Sequence, residues 1–279
     1  MAQANNIETP KSTAATELSS YDDVQVPPSL YKHFCYYAPD EREWTQRIFS
    51  HNEAYFAAPK DFNDPLDSIQ RVLYPKSEAE RVRFMMEWVR RVFPDMTEDI
   101  AEQLVRRTVQ AGDDIAPMTG TCDDLTYQMQ RSNGVFCMTE KNDNILMWAH
   151  YSGQHKGFCL EFRTDNPFFA RARPVIYSRT LPTQDISNLF GANRGLPLYL
   201  VTKAEDWAYE KEWRLGDPAS GPGPQKYPAE SLTGVVFGCR MSDKDKEQIK
   251  EWCRARQDPP KFYVAQEKEH EYGLDIVPH

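Results

Sequence analysis

No two of the six cysteines, Cys35, Cys122, Cys137, Cys159, Cys239 and Cys253, are spaced as C-x-x-C. That spacing argues against a zinc ribbon and against a small disulfide scaffold, and free thiols in a reducing compartment are expected. No apolar run approaches the roughly 20 residues that span a bilayer. Residues 1–28 are rich in Ala, Ser, Thr, Asn and Glu and lack the apolar stretch of a secretory signal, so they read as a disordered leader. A cytoplasmic protein without membrane association is expected. Basic charge is also short, with 33 Lys and Arg against 42 Asp and Glu, a formal net charge of -9. General nucleic-acid binding is therefore not expected, because neutralising phosphates needs a basic surface. The G-x-S-x-G nucleophile turn and the glycine-rich phosphate loop are missing too.

What is present is a core-forming composition, 40% apolar with six Trp and fourteen Tyr. Strands are expected from Ser29 to Tyr37, over residues 54–58, 134–139, 157–162, 174–177, 212–215 and 234–238, and last at 262–264. Residues 41–51 read as a helix with Trp44, Ile48 and Phe49 on its apolar face. Ser77 with Glu80 forms a capping box before Val82, Met85, Val89 and Val92. Asp95 with Glu98 restarts a helix carrying Ile100, Leu104, Val105 and Thr108 that ends near Gly112. One more helix is expected within 113–131, a Pro/Gly loop at 219–228, and a Ser242-capped helix through Ile249 and Trp252. Strands and helices do not alternate strictly. The expected fold is α+β, a mixed and mostly antiparallel sheet in a single domain over 29–279 with a helical insertion at about 77–112.

Three stretches carry side chains suited to chemistry. Phe62-Asn63-Asp64-Pro65 is a tight turn without the alternating oxygen ligands of a calcium loop. Met147 to Phe158 crowds Trp148, His150, Tyr151 and His155 into a polar stretch before a strand. The two histidines are five apart instead of the helical four, so no metal is predicted. They serve either as a capped helix end or as a ligand-contacting loop. Lys203 and Trp207 precede Tyr209-Glu210-Lys211-Glu212-Trp213-Arg214. Read as a strand, that segment puts Glu210, Glu212 and Arg214 on one face, either as a surface ion pair or as a catalytic carboxylate with its orienting partner. A Cys137 dyad with His150 or His155 requires the fold to join them.

Taken in order, these stretches together with Leu30-Tyr31-Lys32-His33 resemble a bacterial family named domain of unknown function 2971, over roughly Leu30 to Met241. The resemblance implies a shared polar-aromatic site and no reaction. The order of an early aromatic-His strand, a second aromatic strand and a late Glu-x-Glu is also similar to the ADP-ribosyltransferase layout. That likeness implies NAD as substrate, with His33 orienting it, Tyr55 or Phe56 packing the nicotinamide, Glu212 catalytic, and Glu210 holding a ribose hydroxyl or the acceptor. Asn63, Asp64, Trp148, His150, Tyr151, His155, Lys203 and Arg214 complete the expected ligand-binding set. Three readings follow. One is an NAD-consuming or ADP-ribosyl-transferring enzyme acting in phage defence or toxin–antitoxin conflict. The second is a non-enzymatic sensor of a small nucleotide-like ligand, and the third a Cys/His-dependent hydrolase. Protein partners are unknown from sequence.

Overall fold

The computed structural model describes residues 24–36, 39–114, 128, 131–185, 196–217 and 220–279. Most of the expected leader, most of the 113–131 stretch in which a helix is expected, and Cys122 lie outside these residues. In chain order the elements are β1 (Ser29–Phe34), α1 (Pro39–His51), β2 (Glu53–Phe56), β3 (Arg71–Leu73), α2 (Glu78–Val92), α3 (Glu98–Ala111), β4 (Gly134–Thr139), α4 (Ile145–Tyr151) and β5 (Phe158–Arg163). There follow β6 (Arg173–Pro174), β7 (Ile176–Ser178), β8 (Thr183–Asp185), β9 (Thr202–Ala204), β10 (Glu212–Asp217), β11 (Gly223–Lys226), β12 (Leu232–Phe237), α5 (Asp243–Cys253), β13 (Lys261–Glu267) and β14 (Leu274–Pro278). No described helix is long and apolar enough to cross a membrane.

The fold is α+β. The main sheet runs β14-β13-β12-β5-β1-β4-β10-β6 and is antiparallel except for β12 beside β13. Alternation in β5 decides which layer goes where. Phe158, Leu160 and Phe162 face a core with Ile48 and Phe49 of α1 and Ile249 and Cys253 of α5. On the other face Cys159 joins Trp148, Val236, Ala265 and Leu274. The helical hairpin of α2 and α3 has its own small core of Met86, Val89, Ala101, Val105 and Val109.

Local signals placed several boundaries. The Ser77–Glu80 capping box forms, Ser242 accepts from the Asp245 amide, and Gly112 ends α3 at φ 76, a left-handed turn that costs a side-chain-bearing residue more. Other expectations are corrected. The N-cap of α3 is Thr97, not Asp95. Trp44, Val92, Ile100 and Leu104 are exposed, while Phe84, Met86, Ala101 and Val109 are buried in their place. Periodicity locates a stripe to within one residue, and the partner helix decides which side of it is covered. The 219–228 loop contains β11, which pairs with β2, and β14, not expected at all, pairs with β13. Residues 209–214 are not one strand. Glu205–Glu210 is a 3-10 turn, Lys211 adopts φ 47, and β10 starts only at Glu212.

One irregularity of the sheet creates the site. β1 pairs with β5 at six positions and β4 with β10 at six, yet β1 and β4 meet only at Tyr31 opposite Thr139. At the other end of β4, Val135 exchanges both backbone hydrogen bonds with Ala57, each 2.9 Å. Between these two closures the sheet is split. The Lys32 ammonium spans the gap and donates to the Cys137 carbonyl at 2.8 Å.

Candidate functional site

A cavity of about 220 Å³ fills the split. Its walls come from β1 (Tyr31, Lys32, His33), β2 and its exit (Tyr55, Ala57), the following turn (Phe62, Asn63, Asp67), β4 (Cys137, Met138, Thr139), α4 (Met147, Tyr151) and the late segment (Lys203, Glu210, Glu212). Asn144 starts α4 by accepting from the Leu146 amide at 2.9 Å, and its own amide donates to the Tyr209 carbonyl at 2.8 Å. One residue thus caps the helix that carries Tyr151 and holds the turn that carries Glu210. The Thr139 hydroxyl secures the same turn, donating to the Glu210 carbonyl at 2.6 Å.

Under the cavity lies a buried charge network. Arg214 is fully enclosed and uses all five of its N–H donors. Nε and Nη2 grip Glu212 at 2.8 and 3.1 Å, Nη2 also reaches Asp67 at 2.7 Å, and Nη1 reaches Ser68 Oγ at 3.1 Å and the Leu200 carbonyl at 2.8 Å. The Lys203 ammonium donates to Glu210 and, at 3.0 Å, to Glu212, with the Trp207 ring 4.9 Å away. Tyr151 donates to Glu210 at 2.6 Å and accepts from Asn63 at 3.3 Å. The Tyr177 hydroxyl accepts from the Glu212 amide at 2.8 Å.

The two carboxylates titrate in opposite directions. Burial works against the charge of Glu212, but Arg214 and Lys203 outweigh it and hold the group at about 2. Burial is the largest influence on Glu210 and, with Glu212 nearby, carries it above its ordinary value despite Lys203. Burial opposes the charge of Lys203 as well, yet Glu212 and Glu210 keep it firmly protonated. Tyr151 is pushed up by burial and then by Glu210, so it stays a phenol that donates. Burial lowers Lys32. The Cys137 thiol is driven up by burial and by Glu212, with which it hydrogen-bonds, and its partners are those of the charge network. His33 is 6% exposed, and neither ring nitrogen has a hydrogen-bond partner. It lies edge-on to Trp148, and burial lowers it to about 3, so it is a neutral imidazole.

The residues singled out from sequence divide by place. His33, Tyr55, Asn63, Tyr151, Lys203, Glu210 and Glu212 line one cavity, and Arg214 stands behind it. Asp64 accepts from the Trp207 indole at 2.8 Å and tethers the early turn to the late one. Phe56 stacks on Phe136 in the core. Trp148 is fully buried, and its indole donates to the Asn142 carbonyl. His150 is exposed beside Tyr151 and Tyr209. His155, at φ 67, stacks over Trp148. Neither histidine lines the cavity. Gly157 closes that loop against the Phe34 carbonyl, where a Cβ would come within 2.0 Å. Sequence reasoning passed over Asp67, Ser68, Tyr177 and Lys32. No group of three or more His, Cys, Asp or Glu able to hold a metal occurs among the described residues.

The segment from α4 to β10 holds Tyr151, Lys203, Glu210, Glu212 and Arg214, and it decides the comparison. Residues 147–215 match the family described as Protein of unknown function (DUF2971). The matched segment supplies Met147, Tyr151, Lys203, Glu210 and Glu212 of the cavity wall and most of the charge network. The larger share of the wall comes from outside the match, through β1, Tyr55, the 62–68 turn and β4. Neither a curated protein nor a solved structure matches the chain.

Proposed function

We propose that the cavity binds a ribose-bearing, nucleotide-like molecule, with NAD as the candidate, and cleaves the bond between its ribose and nicotinamide. One observation carries this reading: His33, Tyr55 and the Glu210/Glu212 pair, remote in sequence, line a single cavity in a split sheet. The chemistry asks for a fixed negative charge beside the ribose carbon as positive charge develops there. Glu212, ionised and held rigid by Arg214 and Lys203, supplies it. The C–N bond breaks, its electron pair leaves with neutral nicotinamide, and an acceptor O–H or N–H adds to the ribose carbon and gives up its proton. Glu210, with its raised pKa, is the group to take that proton. The neutral His33 ring lines the cavity, and neither of its buried nitrogens has a protein partner. Such an enzyme would deplete NAD, which suits a role in phage defence or toxin–antitoxin conflict.

The test is nicotinamide release from NAD by the purified chain. Glu212→Gln is expected to lower the rate about 100-fold or more, with retained folding checked by circular dichroism. Release that is unchanged in this variant sinks the assignment of Glu212. A second reading, ligand binding without turnover, is favoured by the saturation of the Glu212 carboxylate by Arg214, Lys203 and Cys137. It gains if the wild type releases nothing, even with cell extract as acceptor. A thiol-based hydrolase fits least, since the Cys137 thiol is held protonated.

A further inference from the structure

A second cavity, about 210 Å³, opens beneath α1. Trp44, Thr45, Arg47 and Ile48 of α1 line it, with Glu53 and Tyr55 of β2, Pro224 of β11, and His33 to Cys35 at the end of β1. His33 and Tyr55 line both cavities, so the two share a wall and lie side by side. Neither alone reaches the roughly 300 Å³ at the small end of ordinary ligand pockets, whereas the two together do.

The aromatic residues at the mouth need a physical reason. Trp44 is 47% exposed and Tyr55 49%. Their rings meet at 5.3 Å and 69°, edge to face. Packing alone would favour turning Trp44 inward with Ile48 and Phe49, which are buried one turn further along α1. The pair instead stands open at a cavity edge, with ring surface free to stack. The Arg47–Glu53 ion pair, 2.7 Å, braces α1 against β2 behind it. His33, enclosed and with both nitrogens unpartnered, supplies an unsatisfied polar group in the shared wall.

We propose that this second cavity is a subsite for a planar heteroaromatic ring, a purine base, belonging to the same ligand whose other half enters the first cavity. The site is then bipartite, Trp44 stacks the base, and Tyr55 and His33 form the partition that the sugar-phosphate linker crosses. This deepens the nucleotide-like reading above and rests on it for the first cavity only, because the base subsite is testable alone.

The probes are adenosine monophosphate for the second cavity and nicotinamide mononucleotide for the first, each titrated calorimetrically against the full chain. The wild type is expected to bind adenosine monophosphate, Trp44→Ala to weaken it about ten-fold or more, and Trp44→Phe to restore most of it, as expected for base stacking. Trp44→Ala is expected to leave nicotinamide mononucleotide binding within two-fold. Failure of the wild type to bind adenosine monophosphate, or binding equally tight in Trp44→Ala, overturns the subsite even where NAD is consumed. Trp44-dependent binding of adenosine monophosphate upholds it even where no nicotinamide is released. Equal loss of both probes in Trp44→Ala marks a general disturbance of the fold and overturns the assignment of Trp44.

Discussion

Arg214 is the residue on which the site depends most. A guanidinium in a closed interior is tolerable only when every donor is met, and here Glu212, Asp67, Ser68 and the Leu200 carbonyl meet all five. Arg214→Met keeps the length of the side chain but strands Asp67 and Glu212. A loss of about 3–5 kcal/mol in urea unfolding is expected. Lys203, Glu210, Glu212 and Arg214 stood out in the sequence because four charges flank aromatics within a dozen residues. Asp67 did not, since a turn explains an Asp near a Pro without any remote partner. His33 makes a separate, pH-dependent contribution. Its folded value of about 3 lies below the usual 6.5, so the unfolded chain takes the proton first. Stability is intact above about pH 6.5 and falls as the pH drops towards 3. His33→Leu is expected to flatten this window in acid-unfolding curves. The window of Glu212, whose value is depressed, opens lower, with stability lost between its ordinary 4.5 and about 2.

At the scale of elements, the helices follow local chemistry most closely. The box of Ser77 with Glu80 satisfies amides at the start of α2. Ser77→Ala is expected to cost about 1 kcal/mol and to raise amide exchange in the first turn of α2 by mass spectrometry, leaving the cavity strands unaffected. β4, β5 and β12 were legible because apolar runs between turn residues stay strands wherever they are placed. β11 and β14 were not, because Gly223–Lys226 and Leu274–Pro278 owe their extended form to the partners β2 and β13. The 209–214 segment shows the same limit. Residue pattern suggested continuous alternation, whereas the left-handed Lys211 breaks the strand. The break nevertheless leaves Glu210 and Glu212 on one ammonium, Lys203.

Over the whole molecule, the site exists because the chain closes on itself three times. The 62–68 turn is fastened to the late segment through Asp64 to Trp207 and Asp67 to Arg214. The end of β2 is joined to β4 at Ala57 and Val135, and β1 is joined to β4 at Tyr31 and Thr139. The sheet cannot zip between the last two, and the cavity is that gap. By itself the sequence determined the fold class, the capped helices, the buried strands and the residue types of the charged late segment. Those depend on composition, periodicity and neighbours within a few positions. Only the tertiary structure decided that β1 and β4 part, that Asp67 and Cys137 join Glu212 in one charge network, and that His150 and His155 fall outside the cavity. Each of these rests on a contact between residues dozens of positions apart, and no local pattern encodes such a contact.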